Sequence, residues 1–277
     1  MIDFHCHILP NWDDGAGSPE ESLEMAQQLS DKGFACVVAT PHFMDDLKEG
    51  ELDKLQQQVE ELNRDCQREG IPLEVVPGSE ILYSPLLMSV LEGKFLPTVN
   101  QGEYLLLELS LSQSFPSSLS NEIFMLRTRR YQPVLAHPER NGCFLKEPHR
   151  LYTLAHYGLL YQVNLCSFTG DFGRRSRDLA LKMLRSGLIS FVGTDAHVPG
   201  EARIEKVGEA LQVIEEEAGK EVVKELLKEN PARALRGESI EQVDVTPYFD
   251  EEKRSTSFNP FQFMKKLLYK KRVRRLL

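Results

Sequence analysis

Two histidines stand one residue apart in the opening MIDFHCHILPNWDDG, where His5 and His7 flank Cys6. In a β-strand, residues i and i+2 point to the same face, so the two imidazoles would lie together and Cys6 would point away. Three interpretations follow: a metal site, a reactive cysteine, or a buried strand in which these residues carry no chemistry.

The spacing of the cysteines disfavours a thiol nucleophile. A phosphatase cysteine requires an arginine six residues further on, where it closes a phosphate-binding loop. The residues six positions after the five cysteines are Trp12, His42, Pro72, His149 and Phe172. None of them is arginine, and free cysteine is among the most buried residue types, so we expect Cys6 to fill the core.

Apolar runs that could be β-strands alternate with helical patterns along most of the sequence. The predicted strands are 2–5, 35–40, 73–77, 104–109, 132–136, 161–164 and 190–193. The predicted helices are 19–32, 52–69, 117–130, 149–157, 176–186, 204–227 and 231–235. Seven β/α alternations predict a parallel sheet, either open or closed into a barrel.

Residues able to bind metals fall at the carboxyl ends of these predicted strands. Reading those ends gives His5, His7, His42, Glu80, Glu108, His137, Asp195 and His197. In parallel α/β folds this edge is where active sites are built. A single histidine at such a position is more often structural. So many polar and charged side chains at one edge, however, need partners that offset the cost of burying them. Imidazole and carboxylate without thiolate suit Mn, Fe, Zn or Co, and the ligand count predicts a polynuclear hydrolytic site.

The ordered motifs HCH, DDG, TPH, SE, AHPER and TDAH resemble the PHP superfamily of metal-dependent phosphoesterases. More closely, the chain resembles the CpsB-type bacterial protein-tyrosine phosphatases of capsule and exopolysaccharide loci, whose opening and AHPERN run are nearly the same as MIDFHCHILP and AHPERN here. The resemblance covers about residues 1–240. It implies a distorted (β/α)7 TIM-like barrel, the PHP fold, with three divalent ions at the C-terminal ends of the strands. Manganese is the expected metal, with Fe, Mg, Co or Zn as alternatives.

The resemblance also implies which residues bind each ion. The three sets are His5, His7, Glu80 and Asp195; then Glu80 as a bridge with Glu108 and His137; then Asp14, His42 and His197. Asp13 stays an alternative to Asp14, because the spacing of DDG does not exclude it.

Two arginines are candidates for binding the phosphoryl group, because the guanidinium fork matches phosphate oxygens. Arg140 follows His137 by three residues, where the family uses an arginine for this purpose. Arg203 follows TDAH in a loop where relatives carry a substrate-contacting arginine. A surface ion pair with Glu201 or Glu205 is the alternative for Arg203.

The implied reaction is hydrolysis of protein phosphotyrosine by a metal-bridging hydroxide, with a bacterial tyrosine kinase of polysaccharide biosynthesis as the expected substrate. Two other functions stay open. A PHP phosphatase for a small phosphomonoester such as histidinol phosphate would carry the same ligands. A metal-bound docking protein would bind a kinase without turnover, although no expected ligand is missing from the sequence.

Charge is distributed unevenly along the chain. Residues 253–277 carry nine Lys and Arg and no acid, and because the whole chain carries −9, residues 1–252 carry −18. An acidic body argues against nucleic-acid binding. We therefore expect a barrel domain at 1–240 and a C-terminal extension at 241–277 with a basic, partly amphipathic tail. Either this tail is solvated or folded back on the acidic body, or it makes a weak contact with an anionic membrane surface.

The remaining features indicate a cytoplasmic protein. No run of about 18 apolar residues is present, and the opening residues lack the basic and apolar regions of a signal peptide. Five cysteines without CxxC spacing fit a reducing compartment. A membrane contact through the tail would place the protein peripherally at the inner membrane surface.

Overall fold

The computed structural model describes residues 1–43, 50–84, 96–111 and 114–240. The predicted extension at 241–277 lies outside these described residues. Within them, the strands are β1 (Ile2–Cys6), β2 (Cys36–Ala39), β3 (His42–Phe43), β4 (Glu74–Pro77), β5 (Glu80–Leu82), β6 (Tyr104–Glu108), β7 (Gln132–Ala136), β8 (Leu160–Asn164) and β9 (Phe191–Gly193).

Helices connect these strands on the outside of the sheet. Those described are α1 (Pro19–Asp31), α2 (Glu51–Glu69), α3 (Leu119–Thr128), α4 (Gly142–Lys146), α5 (His149–His156), α6 (Leu165–Thr169), α7 (Arg174–Arg185), α8 (Ala202–Glu205), α9 (Val207–Ala218), α10 (Lys220–Lys224) and α11 (Asn230–Leu235). Short 3-10 turns occupy Val99–Gln101 and Pro138–Arg140, and a π-helical turn occupies Glu225–Glu229.

The start of α1 illustrates how the sequence fixes a helix end. Pro19 occupies the first helical turn, where its missing amide hydrogen is not needed, and the Ser18 hydroxyl accepts a hydrogen bond from the Glu21 amide at 3.2 Å. The prediction of one helix over 204–227 is wrong, because the chain breaks into separate helices at Lys206 and again at Gly219. Glycine is the weakest helix former after proline, which favours the second break.

Among the described residues, all strand pairs are parallel, and they form two sheets. One has the order β1-β2-β4 and the other has the order β3-β5-β6-β7-β8-β9. The short strands β3 and β5 follow β2 and β4 directly, and they pair with each other as β2 and β4 do. β2 and β4 lie within the predicted strands at 35–40 and 73–77, whereas β3 and β5 are further strands that the sequence did not predict.

The breaks between β2 and β3 and between β4 and β5 fall at residues that interrupt regular strand pairing. Pro41 has no amide hydrogen to donate and lies between β2 and β3. Gly78 lies between β4 and β5, and a Cβ there would stand 2.7 Å from Cγ1 of Val38, so the close approach of the two strands requires glycine. After these breaks, His42 is the first residue of β3 and Glu80 is the first residue of β5. The two residues are paired directly across the neighbouring strands.

The first and last strands lie side by side, as the expected barrel requires. A parallel bridge joins Cys6 to Ala196, and the Asp195 amide donates to the His5 carbonyl at 2.7 Å. The buried carboxylate of Asp3 accepts hydrogen bonds from the amide and the hydroxyl of Thr194. We refer to this contact between β1 and the end of β9 as the seam.

On β6, one strand face carries both the apolar core and a residue of the polar site. On β6, Tyr104 and Leu106 are buried in the core, and Glu108, two residues further, continues the same face at the carboxyl end. Phe4 stacks on Phe191 at a centroid distance of 3.8 Å. The alternation therefore places apolar side chains deep in the fold and acidic or imidazole side chains at its carboxyl edge.

Candidate metal centre

The first expected ligand set converges on one point. Nε2 of His5 and Nε2 of His7 are 3.2 Å apart, and they lie 3.2 and 3.3 Å from Oε2 of Glu80. Both nitrogens are also 3.6 Å from Oδ1 of Asp195. All four side chains are buried. They come from β1, β5 and the residues after β9, so the seam brings this set together.

The second expected set extends from the other oxygen of Glu80. Nε2 of His137 lies 2.9 Å from Oε1 of Glu80 and 3.8 Å from Oε1 of Glu108. The structure adds a contact that the sequence did not indicate, since Nδ1 of His42 lies 3.3 Å from Oε2 of Glu80 and 4.0 Å from Oε2 of Glu108. Glu80 therefore faces both neighbouring sets, as a bridging carboxylate does.

The third expected set lies at the mouth of the pocket. Oδ1 of Asp14 is 3.5 Å from Nε2 of His42 and 3.5 Å from Nε2 of His197. His7 completes a group whose ligand atoms all lie within 4.8 Å of one another. Asp14 is 70% exposed, unlike the other members, so this set is open to solvent.

Asp13 and Asp14 take different positions. Oδ2 of Asp13 lies 2.8 Å from Nδ1 of His7 and accepts a hydrogen bond from the His42 amide at 2.8 Å. Its other oxygen accepts from the Gly15 amide. Asp13 is thus placed to orient an imidazole through the nitrogen that faces away from the pocket, which is the role of a carboxylate behind a metal-bound histidine.

These donor atoms fit divalent metal ions. Nitrogen and oxygen ligands lie about 2.0–2.2 Å from an ion such as zinc, so neighbouring ligand atoms around one ion are about 3.0–3.5 Å apart. The separations of 3.2–3.6 Å within the first set match this spacing. The donors are imidazoles and carboxylates with no thiolate, which suits Mn, Fe, Zn or Co.

The surroundings of His7 and His137 favour positive charge on these two imidazoles. Burial alone would lower the pKa of His7, but its hydrogen bonds to Asp13 and Glu80 outweigh burial and raise that pKa to about 10. The same balance, with Glu80 as the partner, raises the pKa of His137 to about 9. Burial would also raise the pKa of Asp13, yet its contact with His7 holds that pKa at about 2. Divalent ions would supply this positive charge in place of the protons.

Two polar residues on β8 support the site, although they belong to none of the sequence motifs that predicted it. Oε1 of Gln162 lies 3.0 Å from Nδ1 of His5, and its amide nitrogen donates to Oδ1 of Asn164 at 2.9 Å. The Asn164 amide nitrogen donates to Oδ2 of Asp195 at 2.7 Å. The signal was present, since Gln and Asn at i and i+2 in an apolar strand share the face that leads to the pocket.

The two arginines meet on Asp195. Nη1 of Arg140 donates to Oδ2 of Asp195 at 2.7 Å, and Nη1 of Arg203 lies 3.3 Å from the same oxygen. Arg203 also lies 3.4 Å from Glu201, so the ion pair considered as its alternative is present as well. Glu139, beside Arg140, accepts hydrogen bonds from the Asn164 amide and the Ser167 hydroxyl, which fixes the turn that carries Arg140.

The cysteines are placed away from this chemistry. All five are free and buried, and Cys6 is fully enclosed next to the Ala196 carbonyl. Burial raises the pKa of Cys36 to about 12 and the pKa values of Cys143 and Cys166 to about 11. A thiol that stays protonated at neutral pH is a poor nucleophile.

Comparison with known proteins places the chain in a family. The sequence pattern that defines CpsB/CapC, a family of capsular polysaccharide synthesis, matches residues 1–236. The chain belongs to the CpsB/CapC family. YwqE of Bacillus subtilis (strain 168), a tyrosine-protein phosphatase, is 35% identical over 240 residues, which span 87% of this chain and 93% of YwqE. CpsB of Streptococcus pneumoniae, also a tyrosine-protein phosphatase, is 27% identical over 248 residues, which span 87% of this chain and all of CpsB.

Solved structures of the CpsB/CapC family share this fold. A chain from the crystal structures of YwqE from B. subtilis and CpsB from S. pneumoniae, described as unique metal-dependent tyrosine phosphatases, superposes with a TM-score of 0.82 at 35% identity. The match covers 89% of this chain and 99% of that chain. The lactonase Lmo2620 from Listeria monocytogenes, at 11% identity and a TM-score of 0.53, matches 86% of this chain and 95% of its own, and shares the fold alone.

In the part of the chain that the structure describes, no helix is both long enough and apolar enough to cross a bilayer.

Proposed function

We propose that this protein is a metal-dependent phosphatase that hydrolyses phosphotyrosine on proteins. The observation that carries the proposal is the convergence of the nine expected ligands on one pocket, at whose edge Arg140 and Arg203 both contact Asp195. The activity named for YwqE and for the streptococcal CpsB proteins supports phosphotyrosine as the substrate group.

The proposed cofactor is a set of three divalent ions, with manganese as the expected metal. Their proposed ligands are His5, His7, Glu80 and Asp195; Glu80, Glu108 and His137; and Asp14, His42 and His197. When bound, such ions would supply a hydroxide nucleophile near neutral pH and offset negative charge on the phosphoryl oxygens.

The residues of the chain have separate tasks in this scheme. Asp13 and Gln162 each contact Nδ1 of a histidine, which leaves Nε2 of His7 and of His5 facing the pocket as a ligand atom. Arg140 and Arg203 bind the phosphoryl oxygens and balance the charge that builds on them in the transition state. The phenolate of tyrosine has a parent pKa of about 10, so its departure needs only modest assistance.

The proposed substrate protein is a bacterial tyrosine kinase of polysaccharide biosynthesis, and the proposed location is the cytoplasm beside the inner membrane. The link of the CpsB/CapC family with capsular polysaccharide synthesis supports this choice. We further propose that the basic tail makes a weak contact with anionic lipid, because each basic residue near such a surface contributes about 1 kcal/mol.

The test is a comparison of substrates with and without metal. Purified protein is stripped with a chelator, reloaded with Mn²⁺ and assayed with a phosphotyrosine peptide, para-nitrophenyl phosphate and histidinol phosphate. We expect activity only after reloading, with the highest kcat/KM for the peptide. Faster turnover of histidinol phosphate would identify a small-molecule phosphatase instead. Metal binding without turnover of any of the three would identify a docking protein.

A further inference from the structure

One aromatic ring lies against both arginines of the site. Cζ of Arg140 is 4.2 Å from the ring centroid of Phe172, and Cζ of Arg203 is 5.7 Å from the same centroid. Both distances are within the range of about 6 Å over which a guanidinium is attracted to an aromatic face. These two contacts link the ring to the site through the arginines.

The backbone fixes the position of this ring. Phe172 lies in the four-residue turn between α6 and α7, where Gly170 and Gly173 have φ values of +89° and +90°, which side chains with a Cβ rarely adopt. Asp171, next to the ring, pairs with Lys206. Nε of Arg177 donates to the Phe168 carbonyl at 2.9 Å, which ties the end of α6 to α7. The turn therefore presents the ring in one place.

The charges of Arg140, Arg203 and Asp195 indicate what an aromatic ring next to them can do. Arg140 and Arg203 both contact Oδ2 of Asp195, so two positive groups share one carboxylate oxygen and repel each other. Oδ1 of Asp195 faces His5 and His7, where its charge is directed to the metal set. Glu201 lies 3.4 Å from Nε of Arg203 and partly offsets its charge, whereas the carboxylate that contacts Arg140 is Asp195. An aromatic face attracts a guanidinium and leaves its full charge available to an anionic ligand.

We propose that Phe172 is a positioning residue for phosphoryl binding, which keeps the guanidinium groups of Arg140 and Arg203 together at the edge of the metal centre. The ring acts through the two arginines, so it serves any phosphate monoester equally and does not select the leaving group. This inference rests on the proposed function in one respect, namely that the arginine pair binds a phosphoryl group.

The test measures binding of inorganic phosphate to the Mn²⁺-loaded full-length protein by calorimetry, which requires no turnover. Phe172→Leu keeps an apolar side chain but removes the aromatic face, whereas Phe172→Trp keeps the face. The matched control is Phe115→Leu, because Phe115 makes the same kind of contact, at 4.3 Å, with Arg150, which is not one of the two arginines of the site. We expect Phe172→Leu to raise the Kd for phosphate about three- to tenfold, and Phe172→Trp and Phe115→Leu to change it little.

Substrate comparison separates positioning from direct contact. We expect Phe172→Leu to raise KM for a phosphotyrosine peptide and for glycerol phosphate by the same factor, with bound metal unchanged. A loss confined to the aromatic substrate, with phosphate binding intact, would assign the ring to the leaving group and overturn the inference. Unchanged phosphate binding in Phe172→Leu, or no phosphate binding by the wild type, would overturn it too. A wild type that binds phosphate but does not hydrolyse phosphotyrosine would instead reject the proposed function.

Discussion

Oε1 of Gln162 lies 3.0 Å from Nδ1 of His5 and also accepts a hydrogen bond from the His137 amide. One amide oxygen on β8 thus touches residues of two proposed ligand sets. Removing it should leave His5 free to rotate and to carry its proton on the wrong nitrogen.

We therefore expect Gln162→Leu to weaken metal binding about 10–100-fold, the usual cost of losing a partner behind a metal-bound histidine. Competition with a fluorescent chelator measures this affinity. Gln132→Leu is the matched control, since Gln132 is a buried glutamine on β7 that bonds to the Gly158 carbonyl, away from the ligands. Equal metal affinity in the two variants would show that Gln162 has no part in the site.

The neighbours Asp13 and Asp14 should differ in the number of ions they control. Asp14→Ala removes a direct ligand of the third set, so metal analysis should find about one ion fewer per protein. Asp13→Asn should keep the number of bound ions but weaken their affinity about 10–100-fold, because it acts through His7. The reverse pattern would assign the third ion to Asp13.

Arg140→Ala should separate metal binding from chemistry. The variant should retain its ions, because Asn164 still donates to Asp195, yet kcat should fall about 10²–10³-fold with loss of a group that stabilises transition-state charge. Arg185→Ala is the control, since Arg185 pairs with Glu217 at 2.7 Å between α7 and α9. A kcat within twofold of the wild type would remove Arg140 from the proposed mechanism.

Catalysis should be independent of every cysteine. Replacing all five by Ala or Ser removes only buried, protonated thiols, so a variant that folds should retain its kcat after loading with Mn²⁺. Exhaustive chelation should abolish the activity of the wild type. Activity that persists after chelation and disappears with a single cysteine would contradict the metal mechanism.

The tail can be tested by truncation after Glu252. The shortened protein should keep its activity on small substrates but lose sedimentation with anionic liposomes at moderate salt. Neutral liposomes serve as the control for nonspecific binding. If the full-length protein does not sediment with anionic liposomes even at low salt, the tail does not act through membrane charge.

Much of the fold was predictable from the sequence because strand and helix patterns are local. All seven predicted strand positions are present, and β7 runs over the predicted residues. The short strands β3 and β5, which follow breaks after β2 and β4, were not predicted, because two or three residues are too few to show a strand pattern. Pro41 and Gly78 mark these breaks, and their effect depends on the neighbouring strand.

The candidate site was also predictable from the sequence only in part. The ligand types were readable because histidine and acid at strand ends are rare without a purpose, and the structure brings all of them into one pocket. The supporting residues were harder to identify, since Gln162 and Asn164 are ordinary polar residues until their partners are known. The contact of Phe172 with two arginines depends on a turn between helices, whose geometry no periodic pattern encodes.

The seam between β1 and the end of β9 also determines when the proposed metal ligands can come together during protein synthesis. Its partners Cys6 and Ala196 are 190 residues apart, so a ribosome makes His5 and His7 long before Asp195 and His197. At about 5–20 residues per second, the early histidines wait on the order of ten seconds or more for their partners. A nascent chain cut short before β9 carries His5, His7 and Glu80 of the first proposed set but lacks its fourth member, Asp195. We therefore expect tight metal binding only in chains that have been synthesised through the last strand.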